Sequence, residues 1–185
     1  MIVDGHPYRT VDWDNGELVL IDQPVLPHRF QLWRSQDYRE AAEAIRTMVV
    51  RGAGAIGATA AYALALATRQ APDTDFEGFV SEASRVLAAT RPTAQNLFAG
   101  LAAVQAAISD AGGASKPASA REAALEAARA YANEDARACE AIGHHGASLL
   151  QDGWGVGTHC NAGWLAFVDW GSALSPVYVA HRSGK

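Results

Sequence analysis

A chain of 185 residues, 49% hydrophobic and 19% charged, can bury one sizeable core, or one domain and the beginning of a second. Its formal charge of −5 and pI near 5.6 exclude the basic footprint of a nucleic-acid-binding domain, while leaving local basic sites for small anions open. Two cysteines, Cys139 and Cys160, without CxxC spacing make neither a disulfide framework nor a zinc set, and fit a reducing cytoplasm.

In chain order, residues 8–13 and 17–21 flank Asp14-Asn15-Gly16, and Asn-Gly between short β-prone runs predicts a hairpin. Asp4, Asp12, Asp14 and Glu17 leave no room for an apolar leader in this region, so no signal peptide is expected. Residues 29–33 (RFQLW) return as a third strand after Pro24 and Pro27. Ser35 is placed to cap a helix carrying Tyr38, Ala41, Ala42, Ile45, Met48 and Val49. A glycine-rich break, residues 51–57 (RGAGAIG), precedes an alanine-rich helix over residues 58–69. The low-polarity run 53–67 is too short and too rich in Gly and Ala to cross a bilayer. Thr74 with Glu77 predicts a capping box for a helix bearing Phe76, Phe79, Val80, Ala83 and Leu87. After Arg91-Pro92-Thr93, Leu97, Leu101, Val104 and Ile108 mark a helix that stops at Gly112-Gly113.

Ser119 with Glu122 predicts a second capping box, opening one long helix to Leu150 with the stripe Leu125, Ala128, Ala132, Cys139, Ile142, Gly146, Leu149. Asp135 falls in that stripe, where its ordinary reading is a capped or solvated carboxylate. Residues 154–158 (WGVGT) read as a short buried strand stopped by Asn161-Ala162-Gly163, which would set Cys160 at the carboxyl end of a strand. Ser175-Pro176 starts a last helix running to Lys185. The fold class is therefore α+β: a small amino-terminal antiparallel sheet, a bundle of about five helices, then the first strand and helix of a truncated Rossmann-like domain. The boundary falls between residues 1–152 and 153–185.

Two stretches carry candidate chemistry. Residues 51–57 open a helix, so unpaired N–H groups and the positive end of its dipole, with Arg51 beside them, outline a phosphate site; the same glycines also suit close helix packing. Arg91 begins another helix and is a second candidate cation. Cys160 is either a small buried residue or a reactive thiol, and the polar company of Thr158, His159 and Asn161 favours the second. His159 points away from Cys160 if the strand alternates, so no local Cys-His pair is expected. His144 and His145 have no ligand-type partner at helical spacing, and no metal site or cofactor is expected.

Ile21-Asp22-Gln23 with Leu26-Pro27, residues 44–57 (AIRTMVVRGAGAIG), 91–98 (RPTAQNLF), Ile142-Gly143 with Gly146, and 158–163 (THCNAG) resemble, in that order, the methylthioribose-1-phosphate isomerases of the initiation-factor-2B-like family. The resemblance spans nearly the whole chain and about the first half of a family member. It implies an amino-terminal sheet and helical domain followed by a Rossmann-like domain, usually in a dimer. It also implies aldose–ketose isomerisation of 5-methylthioribose 1-phosphate in methionine salvage, in the cytoplasm. By motif, Arg51, Gly52 and Ala53 would contact substrate, Arg91 would hold its phosphate, and Cys160 would be the catalytic thiol. The aspartate that accompanies the cysteine lies in the family's carboxyl-terminal half, so the chain alone is expected to be inactive or incomplete, with a homodimer or a second chain supplying the rest. Ribose 1,5-bisphosphate isomerases and non-catalytic regulatory relatives share much of the motif set. Two departures stand out: Gly54 replaces a usual Pro, and bulky Trp164, Phe167, Val168, Asp169 and Trp170 replace a small run after the 158–163 motif.

Overall fold

Five short strands come first and six helices follow in the computed structural model, which describes residues 1–185. β1 (Ile2–Val3) and β2 (His6–Pro7) form a hairpin that the sequence reading missed, turning on Asp4-Gly5 at φ of 49° and 81°. β3 (Val11–Asp14) and β4 (Glu17–Ile21) pair antiparallel as expected, turning on Asn15 and Gly16 at φ of 49° and 88°. Both positive angles are what a two-residue turn needs to match strand twist, and Asn-Gly adopts them most readily. β5 (Leu32–Ser35) pairs with the other edge of β4, beginning at Leu32 rather than Arg29. Leu18, Val19, Leu20 and Ile21 of the central strand are all buried, so both of its faces are covered.

α1 (Tyr38–Arg46) is capped by Asp37, whose carboxylate accepts the Arg39 N–H at 2.7 Å. Ser35 is not the cap, because it is committed to pairing with Leu18; its hydroxyl accepts the Asp37 N–H instead and also bonds Glu40. The helix ends before Met48, which takes a left-handed φ of 64°.

α2 (Ala53–Gln70) corrects the expected glycine-rich break: only Arg51-Gly52 lies outside the helix, and Ala53 to Gly57 form its first turn and a half. Every residue from Gly54 to Thr68 is buried, as a helix apolar all round must be. The buried hydroxyls of Thr59 and Thr68 donate to the carbonyls of Ala55 and Ala65, both at 2.7 Å, so neither is left unpaired. α3 (Phe76–Ala88), α4 (Gln95–Asp110) and α5 (Pro117–Ala147) pack round α2. Neither expected capping box forms: a short 3₁₀ turn over Asp73–Asp75 leads into α3, and Pro117 occupies the first position of α5, leaving Ser119 inside the helix. The buried line of α5 is Ala120, Ala124, Ala128, Ala132, Ala136, Cys139, Gly143 and Ala147, whereas Ile142 and Leu149 are exposed.

Residues 154–158 form no strand; they are irregular and exposed. The correction has a simple cause: a strand needs a neighbour to take its N–H and C=O groups, and no strand lies alongside. Order returns at Ala162, whose carbonyl accepts the N–H groups of Ser172 and Leu174. A 3₁₀ turn (Trp164–Ala166) and buried Val168 follow, and the Val168 carbonyl takes the Thr10 N–H at 2.9 Å, tying this segment to the amino-terminal sheet. α6 (Ser175–Arg182), shorter than expected, lies on α5 where Gly143 faces Val179 and Gly146 faces Pro176. No helix is long and apolar enough to cross a membrane.

Candidate anion-binding cleft around Cys160

Four chain segments converge on a cleft of about 920 Å³. The turn after β4 supplies Gln23; the α1–α2 junction supplies Met48, Arg51, Gly52, Ala53 and Ile56. The α3–α4 connection adds Arg91 and residues 93–96, and the 160–165 segment adds Cys160, Asn161 and Leu165. Arg51, Gly52, Ala53, Arg91 and Cys160, the five residues singled out by sequence, thus share one cavity although they are spread over 110 positions of the chain.

The local backbone explains the shape. Gly52 caps α2 at φ 110°, ψ 151°, a conformation side chains disfavour, and a Cβ there would lie 2.7 Å from the Ala166 carbonyl oxygen. Since Gly52 offers no side-chain cap, and the first internal bond of α2 is Ile56 N–H to Gly52 C=O, the N–H groups of Ala53, Gly54 and Ala55 have no protein partner. α4 likewise starts without a side-chain cap, at Ala94, on the same cleft. Two helix amino-termini therefore aim partial positive charge at one volume.

The cations add to that field. Neither Arg51 nor Arg91 is in a salt bridge, and Arg91 Nη1 is a buried donor with no partner. No Asp or Glu lines the cleft. An unpaired buried guanidinium nitrogen is costly unless an acceptor arrives, so the cleft is suited to an anion with several oxygens.

The two readings of residues 51–57 divide by residue. Gly54 and Gly57 are packing positions: a Cβ on Gly54 would sit 2.6 Å from the Phe167 ring, and one on Gly57 would sit 2.7 Å from the Asn96 carbonyl oxygen and 2.8 Å from the Tyr131 hydroxyl. Arg51, Gly52 and Ala53 instead face the cleft.

Cys160 is exposed and adopts a left-handed φ of 65°, as Met48 does across the cleft. Non-glycine residues held there cost of order 1–3 kcal/mol and tend to gather at functional sites. His159 lines neither of the cavities that Cys160 borders. Cys139, by contrast, is buried in the bundle, where desolvation and then Asp135 and Asp169 push its thiol up to about 12. Asp135 is capped, accepting the Val168 N–H at 2.7 Å; burial raises its pKa and that bond lowers it, with burial the larger effect.

Sequence reasoning gave no role to Gln23, Thr93 or Asn96. Gln23 is 2% exposed, its Nε2 donating to the Leu165 carbonyl at 2.8 Å and its Oε1 accepting from Arg51 Nε at 3.4 Å. Its place within the Ile21-Asp22-Gln23 motif was the one signal that could have found it. A second, apolar cavity of about 550 Å³ adjoins the first through Cys160, Asn161 and Leu165, and Leu26, Pro27, Phe30, Leu174 and Tyr178 complete much of its wall.

Comparison with known proteins places this geometry in context. The profile of the initiation factor 2 subunit family matches residues 49–185. The chain is 51% identical over 194 aligned positions to the methylthioribose-1-phosphate isomerase of Methylorubrum extorquens, covering all of this chain and 51% of that protein. Among solved structures, 5-methylthioribose 1-phosphate isomerase from Pyrococcus horikoshii superposes with a TM-score of 0.86 at 36% identity, over 96% of this chain and 50% of that one. The delta subunit of translation initiation factor eIF-2B from A. fulgidus gives 0.84 at 40% identity, over 97% and 52%. The chain spans about half the length of the relatives it matches.

Proposed function

The chain belongs to the initiation factor 2 subunit family, and on that footing we propose that it is the amino-terminal part of an isomerase of the methylthioribose-1-phosphate type, its cleft holding a sugar 1-phosphate. The observation that carries the reading is the convergence of Arg51, the unpaired Arg91 nitrogen and Cys160 on one carboxylate-free cleft. In this reading the phosphate lies against Arg91, Arg51 and the N–H groups opening α2. The adjoining apolar cavity takes the 5-substituent, and Cys160 faces the sugar carbons between them.

The reaction transfers hydrogen and adds nothing. The C1–ring oxygen bond breaks, the C2 hydrogen moves to C1, and the C2 hydroxyl proton ends on the ring oxygen, leaving a ketone at C2 and a phosphorylated CH2 at C1. Such a rearrangement needs a proton donor and acceptor on the sugar. The Cys160 thiol is one; the other is supplied by a polypeptide corresponding to the remaining length of the relatives, since no carboxylate lines this cleft. A cytoplasmic setting, where both free thiols stay reduced, suits that chemistry. The exposed apolar side chains of Ile142, Leu149, Trp154 and Val156 are the ones we assign to contact with that polypeptide or with a second copy in a dimer.

Titration of the chain with a sugar 1-phosphate tests the binding half. Modest, salt-sensitive affinity is expected, weakened roughly tenfold or more by Arg51→Ala, since hydrogen bonds to charged groups contribute about 1.5–3 kcal/mol, and little changed by Cys160→Ser. Co-expression with the carboxyl-terminal half of the Methylorubrum relative tests catalysis. Turnover is expected only in the mixture and only with Cys160 intact. A second reading, a non-catalytic regulatory subunit, is favoured by the likeness to the eIF-2B delta subunit; it predicts phosphate binding without turnover in any mixture.

A further inference from the structure

Gln23 is a buried polar side chain whose every bond runs to the walls of the cleft. Its backbone N–H is fixed by the Val49 carbonyl at 3.1 Å, so the residue cannot drift. Its carboxamide then bridges two chain segments that also touch where Gly52 meets Ala166: Nε2 donates to the carbonyls of Leu165 (2.8 Å) and Arg51 (3.4 Å), and Oε1 accepts from Arg51 Nε (3.4 Å). Burying a carboxamide at 2% exposure is costly unless its hydrogen bonds are met. Here they are met by the cation of the cleft and by the segment that bears Cys160, and by nothing in the core.

We propose that Gln23 is a positioning residue: it holds the Arg51 guanidinium by its Nε, leaving the two Nη groups free for a phosphate, and sets the spacing between Arg51 and the 160–165 segment. Arg51 is itself exposed, with no salt bridge to orient it. A long exposed arginine loses much rotamer freedom on binding an anion, and a partner that fixes Nε beforehand reduces that loss. The proposal rests on the phosphate reading of the cleft for its consequence, though not for the bond itself.

The test combines arginine side-chain NMR with titration by inorganic phosphate, on the 185-residue chain. The Arg51 Nε–Hε signal, assigned by its disappearance in Arg51→Lys, is expected to be shifted from free arginine and protected from exchange. Gln23→Met, of similar size but without either polar atom, should return it to the free position and weaken phosphate about three- to tenfold, less than the loss of a direct bond to a charged group because this one is long and acts only through Arg51. Gln23→Glu should keep the signal shifted yet weaken phosphate at least as much, since its carboxylate competes with the anion. A structural role alone would lower the melting midpoint of both variants and leave signal and affinity unchanged per folded molecule; that result overturns the proposal. Failure of the wild type to bind phosphate while the Hε signal still depends on Gln23 would instead sink the phosphate reading and leave the strut standing.

Discussion

Gly57→Ala is the sharpest test of how the cleft is held in shape. In an unobstructed helix the change should stabilise, because Gly in a helix interior costs roughly 0.5–1 kcal/mol relative to Ala. Here the added methyl would lie 2.7 Å from the Asn96 carbonyl oxygen and 2.8 Å from the Tyr131 hydroxyl, where ordinary contact begins at 3.4 Å. Asn96 is backbone at the start of α4 and is pinned by Tyr131, which donates to that same carbonyl at 3.2 Å, so neither neighbour withdraws alone. α4 must move off α2 by a good fraction of an ångström, and overpacking of this kind typically costs about 1–3 kcal/mol, outweighing the helix gain. The paired control is Gly78→Ala on α3, where the methyl would meet only the flexible Asp75 carboxylate at an exposed position. Urea denaturation should show Gly57→Ala lowering the midpoint and Gly78→Ala raising it slightly. A rise for both would mean that the α2–α4 crossing is looser than its carbonyl contacts imply, and that the cleft is not set by helix packing.

Three further outcomes follow from particular groups. In the native protein a thiol reagent should modify Cys160 rapidly and Cys139 hardly at all, because Cys139 is buried and its thiol is pushed up to about 12; mass spectrometry of Cys160→Ser showing equally fast labelling would refute this. Asp135 has its folded pKa raised by burial, so the folded state holds its proton more tightly than the unfolded state, and stability from this group is present below the ordinary carboxyl range and lost as pH rises through the folded pKa. Asp135→Asn, keeping an acceptor for the Val168 N–H, should flatten that part of the profile, as urea midpoints from acid to neutral pH would reveal. Gly16→Ala places a side chain at φ 88° in the β3–β4 turn and should cost roughly 1–2 kcal/mol, read as a lower melting midpoint.

Legibility from sequence followed the range of the forces involved. The β3–β4 hairpin was legible because Asn15-Gly16 settles it locally, and α4 was legible because Leu97, Leu101, Val104 and Ile108 record one buried face. The start of α6 at Ser175-Pro176 was legible too, but those of α1 and α5 were not, since Ser35 is claimed by strand pairing and Pro117 sets α5 ahead of Ser119. The strand read into residues 154–158 had β-prone residues but no partner, a fact no local pattern contains. Ile142 and Leu149 were taken for core; α5 in fact buries its small residues, which let neighbours approach closely, turns Ile142 outward and ends at Ala147, leaving Leu149 exposed beyond it. For the site, motif resemblance singled out Arg51, Arg91 and Cys160, and the structure brings them to one cleft. Gln23 stayed silent because a buried carboxamide is defined by acceptors 28 and 142 positions away.

The Phe167 ring against Gly54 bears on how freely position 54 can be refilled. The resemblance leads one to expect proline at 54 and small residues beyond the 158–163 motif, and this chain departs at both. Any side chain at 54 would press on the Asp135 carboxylate, which the Val168 N–H holds in place, and on the Phe167 ring, so the space at 54 is closed from two sides. Gly54→Pro should therefore be poorly tolerated here even together with a glycine at 167, because the Asp135 carboxylate still closes the other side.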